Sequence, residues 1–393
     1  MPTFAPFRAW RYAPDVPLDA VLAPPYDVLS PADVAALQGR DPRNIVWVDV
    51  PQGSSSTRYA EAAALLSSWR SAGVLVEDPE PSYTIYRTRF VDATGAARDL
   101  AAVLGALDAG GVAAGVLPHE RTTPKASTDR LDLTRATEAN LSPVWGLSLA
   151  AGLSALLVAP GEVLGSVVVD GVEHVVERVT ASDRVAAITA AVESESVLIA
   201  DGHHRYAVAG AYAAEVGGAG GSTATLALVG ELVEEQLSIA AIHRLYAGVP
   251  FSALTSALAL GFSLVPFAGD HPVIDTEVLA AMTDRGALVL VGPGGARWWL
   301  VPLAGAFDGV RSLDGAWLEA VLSDMPGLEV SYQHGVGHVV DAVGSGANVA
   351  GILIRPVSIA EIERTAREGL LMPPKSTYFT PKPRTGFVLR DLR

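Results

Sequence analysis

The chain has 393 residues and no cysteine, which removes disulfides, thiolate metal sites and cysteine nucleophiles at once. Any catalysis must come from oxygen, imidazole or charge. Basic residues are scarce as well: 28 Lys and Arg face 43 Asp and Glu, a formal net charge of -15. Affinity for a phosphate backbone needs clustered cations, so nucleic acid is not the expected partner, although a local basic pocket remains allowed. Mean hydropathy is +0.31, yet no stretch supplies the roughly 18 uninterrupted apolar residues of a membrane span. No membrane partner is expected, and the hydrophobicity reads as core. The start, "MPTFAPFRAWRYAPDVP", lacks the basic-then-apolar order of a secretory signal, so a cytoplasmic protein is expected. The glycine-rich "GxxxxGK[ST]" phosphate loop is missing too: "MPPKSTYF" offers Lys-Ser-Thr without the glycines.

Half of the residues are hydrophobic, enough for a large core in two or three structural units. The pattern is α+β with mixed sheets. Ser30 followed by Pro31 predicts a helix start, which leaves Asp27 of "PPYDV" on the turn entering that helix. The β-branched run "NIVWVDV" predicts a strand, and "STRYAEAAALLSSWRSAGVL" an amphipathic helix closed at Gly73. "SYTIYRTRFVD" and "RDLAAVLGALDA" read as an antiparallel pair. "ALLVAPG" and "EVLGSVVVDGVEHVVERV" read as a meander with a hairpin at Asp170-Gly171. Ser182 is expected to cap the helix that follows. The pattern divides at about residue 248, giving an N-terminal α/β region over 1–248. A C-terminal α+β region over 249–393 follows, whose proline-rich tail returns to the site.

The chemistry concentrates in "VLIADGHHRYAVAGAY". A short buried-type strand meets a helix at Asp201, Gly202, His203, His204 and Arg205. Helix N-termini attract phosphate, and Gly202 lets a ligand approach the backbone. Asp201 is a candidate for magnesium or for orienting a histidine. The bland alternative is a capped helix with structural histidines. A zinc site would need ligands at i and i+4, which adjacent histidines do not supply; His119 and Glu120 would have to complete it. The polar segment "PHERTTPKASTDRLDLTRATEAN" offers Glu120, Lys125 and Arg130. On composition alone it reads as a solvated, salt-bridged surface.

Four separated blocks, "APPYDVLS", "PHERTTPKASTDRLDLTRATEANLSPV", "IADGHHRYAVA" and "MPPKSTYFTPKPRTGFVL", give the chain a resemblance to the bacterial and archaeal family grouped as domain of unknown function 1015. The "DGHHR" block also looks like that of the ParB/sulfiredoxin-like superfamily, which includes free-serine kinases. This resemblance implies a nucleotide-binding core with a second α+β subdomain, and phosphoryl transfer from ATP or another phosphate donor to a small hydroxylated metabolite. L-serine is the leading acceptor and Mg2+ the implied ion, with Asp201 as its ligand. Gly202, His203, His204 and Arg205 then match the phosphate-binding turn. Asp27 and Glu120 are candidates for the catalytic carboxylate beside Asp201 and His204, while Lys125, Arg130, Lys375, Ser376 and Thr377 serve the phosphates. A homodimer is compatible with this reading. The competing classes are a ParB-like nucleotide-binding regulator without turnover and a metal-dependent hydrolase using His119, His203 and His204.

Overall fold

A computed structural model describes residues 1–53, 57–92, 95–120, 127–267, 276–373 and 375–393. The described chain forms two compact units. The first comprises residues 1–238 with 366–370 and 381–393; the second comprises 239–365 with 371–380. The fold is α+β with mixed sheets, as the patterning implies. No helix among the described residues is long and apolar enough to cross a membrane.

The first unit is built on a nine-stranded sheet. Its strands run in the spatial order Val116–Pro118, Val197–Asp201, Val144–Ser148, Ala224–Glu231, Ala97–Asp108, Tyr83–Val91, Val172–Val179 and Glu162–Val169, with Phe4–Ala5 also paired to Ala97–Asp108. Period-two alternation sends successive side chains to opposite faces. Leu226 and Leu228 join one apolar cluster, with Leu66 and Trp69 of the helix Arg58–Ser71. Ala227 and Val229 join the other, with Ile188 and Val192 of the helix Ser182–Glu193. Both faces are therefore covered, which suits an apolar strand such as "VLIA". The strand Val197–Asp201 runs parallel to Val116–Pro118 and antiparallel to Val144–Ser148. Its carboxyl end leads directly into the helix His203–Glu215.

Several local expectations hold for the expected reasons. Ser30 caps the helix Pro31–Arg40 in a reciprocal box with Asp33, and Gly73 is left-handed at φ 72°. The strands Tyr83–Val91 and Ala97–Asp108 pair antiparallel. Asp170 and Gly171 both take positive φ at the hairpin, the geometry of a tight two-residue turn. Three expectations fail. "NIVWVDV" contains a helical turn, Val46–Asp49, instead of a strand. Asn44 holds the carbonyl groups of Ala20 and Leu22 and accepts from the Val46 N–H, and Ile45, Val46 and Val48 are all buried, so tertiary packing overrides β-branched propensity. In "ALLVAPG" the helix Leu153–Leu157 replaces a strand, its start tied to the carboxylate of Glu231 through the N–H groups of Gly152 and Ser154. Ser182 is the first helical residue and Ala181 the cap, with no side-chain bond.

The second unit has a six-stranded antiparallel sheet in the order Phe262–Pro266, Arg297–Pro302, Leu288–Val291, Ala350–Leu353, His243–Ala247 and Glu329–Gln333. Leu288 and Leu290 pack on one face, Val289 and Val291 on the other.

Candidate functional site

The strand ends at Asp201 and the chain reverses through Gly202, which sits at φ 87°, ψ 28° as the N-cap of the helix His203–Glu215. This left-handed conformation favours glycine, and it brings the helix start, with its partial positive charge, to the strand's end. A glycine cap brings no side-chain oxygen to that start. Only four residues separate Asp201 from Arg205, and one helical turn makes them meet: Arg205 Nη2 lies 2.6 Å from Asp201 Oδ2.

The other oxygen of Asp201 is 2.7 Å from Lys382 Nζ. Lys382 also reaches Asp27 Oδ2, 355 residues away in sequence, at 3.0 Å, so it joins a carboxylate on the turn Tyr26–Val28 to one at the end of the strand Val197–Asp201. Its side chain is 10% exposed, and of the two acids Asp27 is the more exposed, at 33% against 24% for Asp201. Arg205 further donates to the Pro143 carbonyl. Burial would raise the Asp201 carboxyl above its ordinary range, but Arg205 and Lys382 outweigh it and hold the group below. Burial likewise works against a charged Lys382, and Asp201 with Asp27 reverses the effect and raises it. The neighbours of Asp201 and of Lys382 thus favour the charged form of each despite burial.

Arg130 and Arg205 line one pocket together with Asp49 and Asn140. Arg130 Nη1 donates to the Asp49 carbonyl at 2.6 Å, its Nη2 lies 2.9 Å from Asp129, and its guanidinium stands 4.2 Å from the Tyr26 ring centre. Burial raises the Asp49 carboxyl despite Arg130 and Arg205, and burial raises the Tyr26 phenol against the same two arginines. His119 is fully buried, bonds the Ile199 carbonyl through Nδ1 at 2.5 Å, and has its ring 5.0 Å from that of His203. Glu120 and His204 are both partly exposed, the latter at the second position of the helix.

Lys375, Ser376 and Thr377 belong to the second unit, and Lys125 lies outside the described residues. Asp201 does not fit a resident metal: its two oxygens are engaged by Lys382 and Arg205, and among the described residues no group of three His, Asp or Glu is placed to hold an ion. Sequence reasoning left Lys382, Asp49 and Tyr26 without a role. For Lys382 a signal existed: the chain has only three lysines, Lys125, Lys375 and Lys382, all inside the motif blocks. Where arginine serves nearly every other basic position, a compact ammonium that can bridge two carboxylates is a distinct choice.

Three buried histidines make the fold sensitive to acid. His119, His174 and His243 are each pushed down to about 4 by burial, below an ordinary value near 6.5. The unfolded chain therefore takes up protons between about pH 6.5 and 4 that the native chain refuses, and stability falls as pH drops through that window. Each histidine contributes up to about 3 kcal/mol to the loss. Urea midpoints measured from pH 7.5 to 4.5 should decline continuously. A flat profile would show that the rings are protonated in the native state.

A family model described as "Protein of unknown function (DUF1015)" matches residues 4–316. No curated protein matches the chain. Similar solved structures include a free serine kinase in complex with AMP, 13% identical, covering 74% of this chain and 91% of that one at a TM-score of 0.43. A conserved hypothetical protein from Pyrococcus furiosus is 13% identical over 74% and 97%, with a TM-score of 0.41. SbnI with a C-terminal truncation from Staphylococcus aureus is 13% identical over 73% and 87%, at 0.39.

Proposed function

The chain belongs to the DUF1015 family, and from that footing we propose that it is a small-metabolite kinase, transferring a phosphoryl group from a nucleotide or pyrophosphate to a hydroxyl, with free L-serine as the acceptor and O-phospho-L-serine as the product. The observation that carries this reading is convergence. All four sequence blocks of the family resemblance meet at Asp201 and Arg205: Asp27 from the first through Lys382, Pro143 from the second, the strand-to-helix turn from the third, and Lys382 from the fourth. Structural salt bridges have no need to draw on every motif of a chain. A transfer site does.

In this reading the phosphates approach the start of the helix His203–Glu215, where the helix dipole, Arg205 and Lys382 oppose their charge. Entry of a phosphate oxygen beside Lys382 competes with Asp27 for the ammonium and leaves that carboxylate to the acceptor. Asp27 takes the proton from the acceptor hydroxyl, the hydroxyl oxygen bonds to the terminal phosphorus, and the bond from that phosphorus to the leaving phosphate breaks. Magnesium enters with the donor's phosphates, as part of the substrate. The "DGHHR" resemblance to free-serine kinases supports serine as the acceptor.

Phosphorus NMR of the protein with magnesium and ATP, ADP or pyrophosphate, with and without L-serine, tests the proposal. A new phosphomonoester resonance that requires serine is expected with one of the donors. Donor binding with no consumption in the presence of serine and a panel of other hydroxylated metabolites would instead identify a regulator.

A further inference from the structure

The second unit carries chemistry that the proposed transfer does not use. It contains a cleft of about 250 Å3, well above the pocket of about 50 Å3 beside Arg130. Two helices begin at its wall, Asp314–Leu322 and Ile359–Arg367, so that Asp314 and Ser358 line it at helix starts. The dipoles of both favour negative charge there.

The wall's carboxylates are already committed. Asp314 accepts from the Arg355 backbone N–H at 2.7 Å and from its Nη2 at 2.5 Å, and Glu361 accepts from Arg311 Nε at 2.5 Å. A cation entering the cleft would find spent acids. An anion would find donors: Arg355 uses Nε and Nη2 on Asp314, while its Nη1 is engaged by no described residue, and neither are the hydroxyls of Thr283 and Ser312. The guanidinium fork has more N–H groups than one carboxylate can take.

Ser376, from the start of the fourth block, whose later residue Lys382 serves the transfer site, also lines the cleft. Lys375 holds φ 59°, a conformation that costs any residue with a side chain and persists only where its surroundings enforce it. Its carbonyl accepts from the buried Arg244 at 3.1 Å, and Ser376 beside it lines the cleft. Gly315 lets the Arg244 guanidinium lie against the helix start, since a Cβ there would stand 3.1 Å from Nη2. We infer that this cleft is a ligand site of the second unit for a small anion, held through carboxylate or phosphate oxygens by Arg355 Nη1, the Thr283 and Ser312 hydroxyls and the two helix starts.

Trp317 reports on the cleft, because Arg355 lies over its ring at 5.6 Å. The test is fluorine NMR of the full chain carrying fluorotryptophan, with the Trp317 resonance assigned through Trp317→Phe. Inorganic phosphate, acetate and matched chloride are titrated separately. A saturable Trp317 shift with phosphate or acetate, absent with chloride, is expected, and whichever anion gives it identifies the ligand as phosphorylated or carboxylic. Arg355→Met should weaken binding about tenfold or more, as loss of a charge-assisted bond implies. The double variant Thr283→Val/Ser312→Ala, which removes no buried group, should weaken it without affecting the fold. No saturable shift with either anion, or affinity unchanged in both variants, overturns the inference. Because the readout sits in the second unit, either result is independent of whether phosphoryl transfer occurs.

Discussion

Lys382→Met is expected to lower the proposed phosphoryl transfer by about a hundred- to a thousandfold, the usual cost of removing one preorganised electrostatic donor from such a site. The loss falls on kcat more than on KM for the acceptor, because the ammonium opposes charge on the phosphates while the carboxylates remain. The variant also leaves Asp27 and Asp201 without the cation between them, with Arg205 still on Asp201. Asp27→Asn separates the two roles. If Asp27 takes the hydroxyl proton, its amide variant loses about a hundred- to ten-thousandfold in kcat while nucleotide affinity, read by calorimetry, is retained. Lys382→Arg restores activity only in part, since a planar fork cannot reproduce one ammonium bridging two acids. Full turnover in Lys382→Met, with circular dichroism confirming the fold, would sink the assignment of this cluster to catalysis.

The largest stability effect is expected at Glu177. It pairs with Arg87 at 2.7 Å with both side chains under 10% exposed, between adjacent strands Tyr83–Val91 and Val172–Val179. Arg87 also donates to the Leu157 carbonyl at 2.6 Å, and Glu177 accepts from the Gly161 N–H at 3.0 Å. Glu177→Ala strands a buried guanidinium and an amide together, a change that costs about 3–5 kcal/mol. Urea denaturation of the wild type and the variant measures it. Glu177→Leu combined with Arg87→Met should recover most of the loss, because removing both charges abolishes the desolvation penalty. A single variant as stable as the wild type would mean that water reaches Arg87.

How much of this was legible in the sequence depended on how local the cause was. The Ser30 cap, the Gly73 stop and the Asp170-Gly171 hairpin rest on neighbouring residues, and all three could be read. The strand-to-helix turn at Gly202 was legible for the same reason. "NIVWVDV" was misread because its helical turn is fixed by Asn44 bonding to residues 20 and 22, a contact with no local signature. Lys382 was in view but without a partner: its attachment to Asp27 and Asp201 is made by the fold, and only the scarcity of lysine hinted at it. The buried Asp49 beside Arg130 belongs to the same class, since its segment had been read as a strand.

The first unit is discontinuous, and its last portion, residues 381–393, supplies both Lys382 and the short strand Arg390–Asp391 that pairs with Ala139–Asn140. On the ribosome, residues 1–238 emerge long before that portion exists. During this interval Asp27 and Asp201 have no bridging cation, and the edge at Ala139–Asn140 has no partner strand. Until then the Asp27–Lys382–Asp201 cluster is incomplete, and its closing contact spans 355 residues of sequence, the kind of non-local contact that forms slowly. The Asp27–Lys382–Asp201 cluster would thus close only after residue 382 has been synthesised.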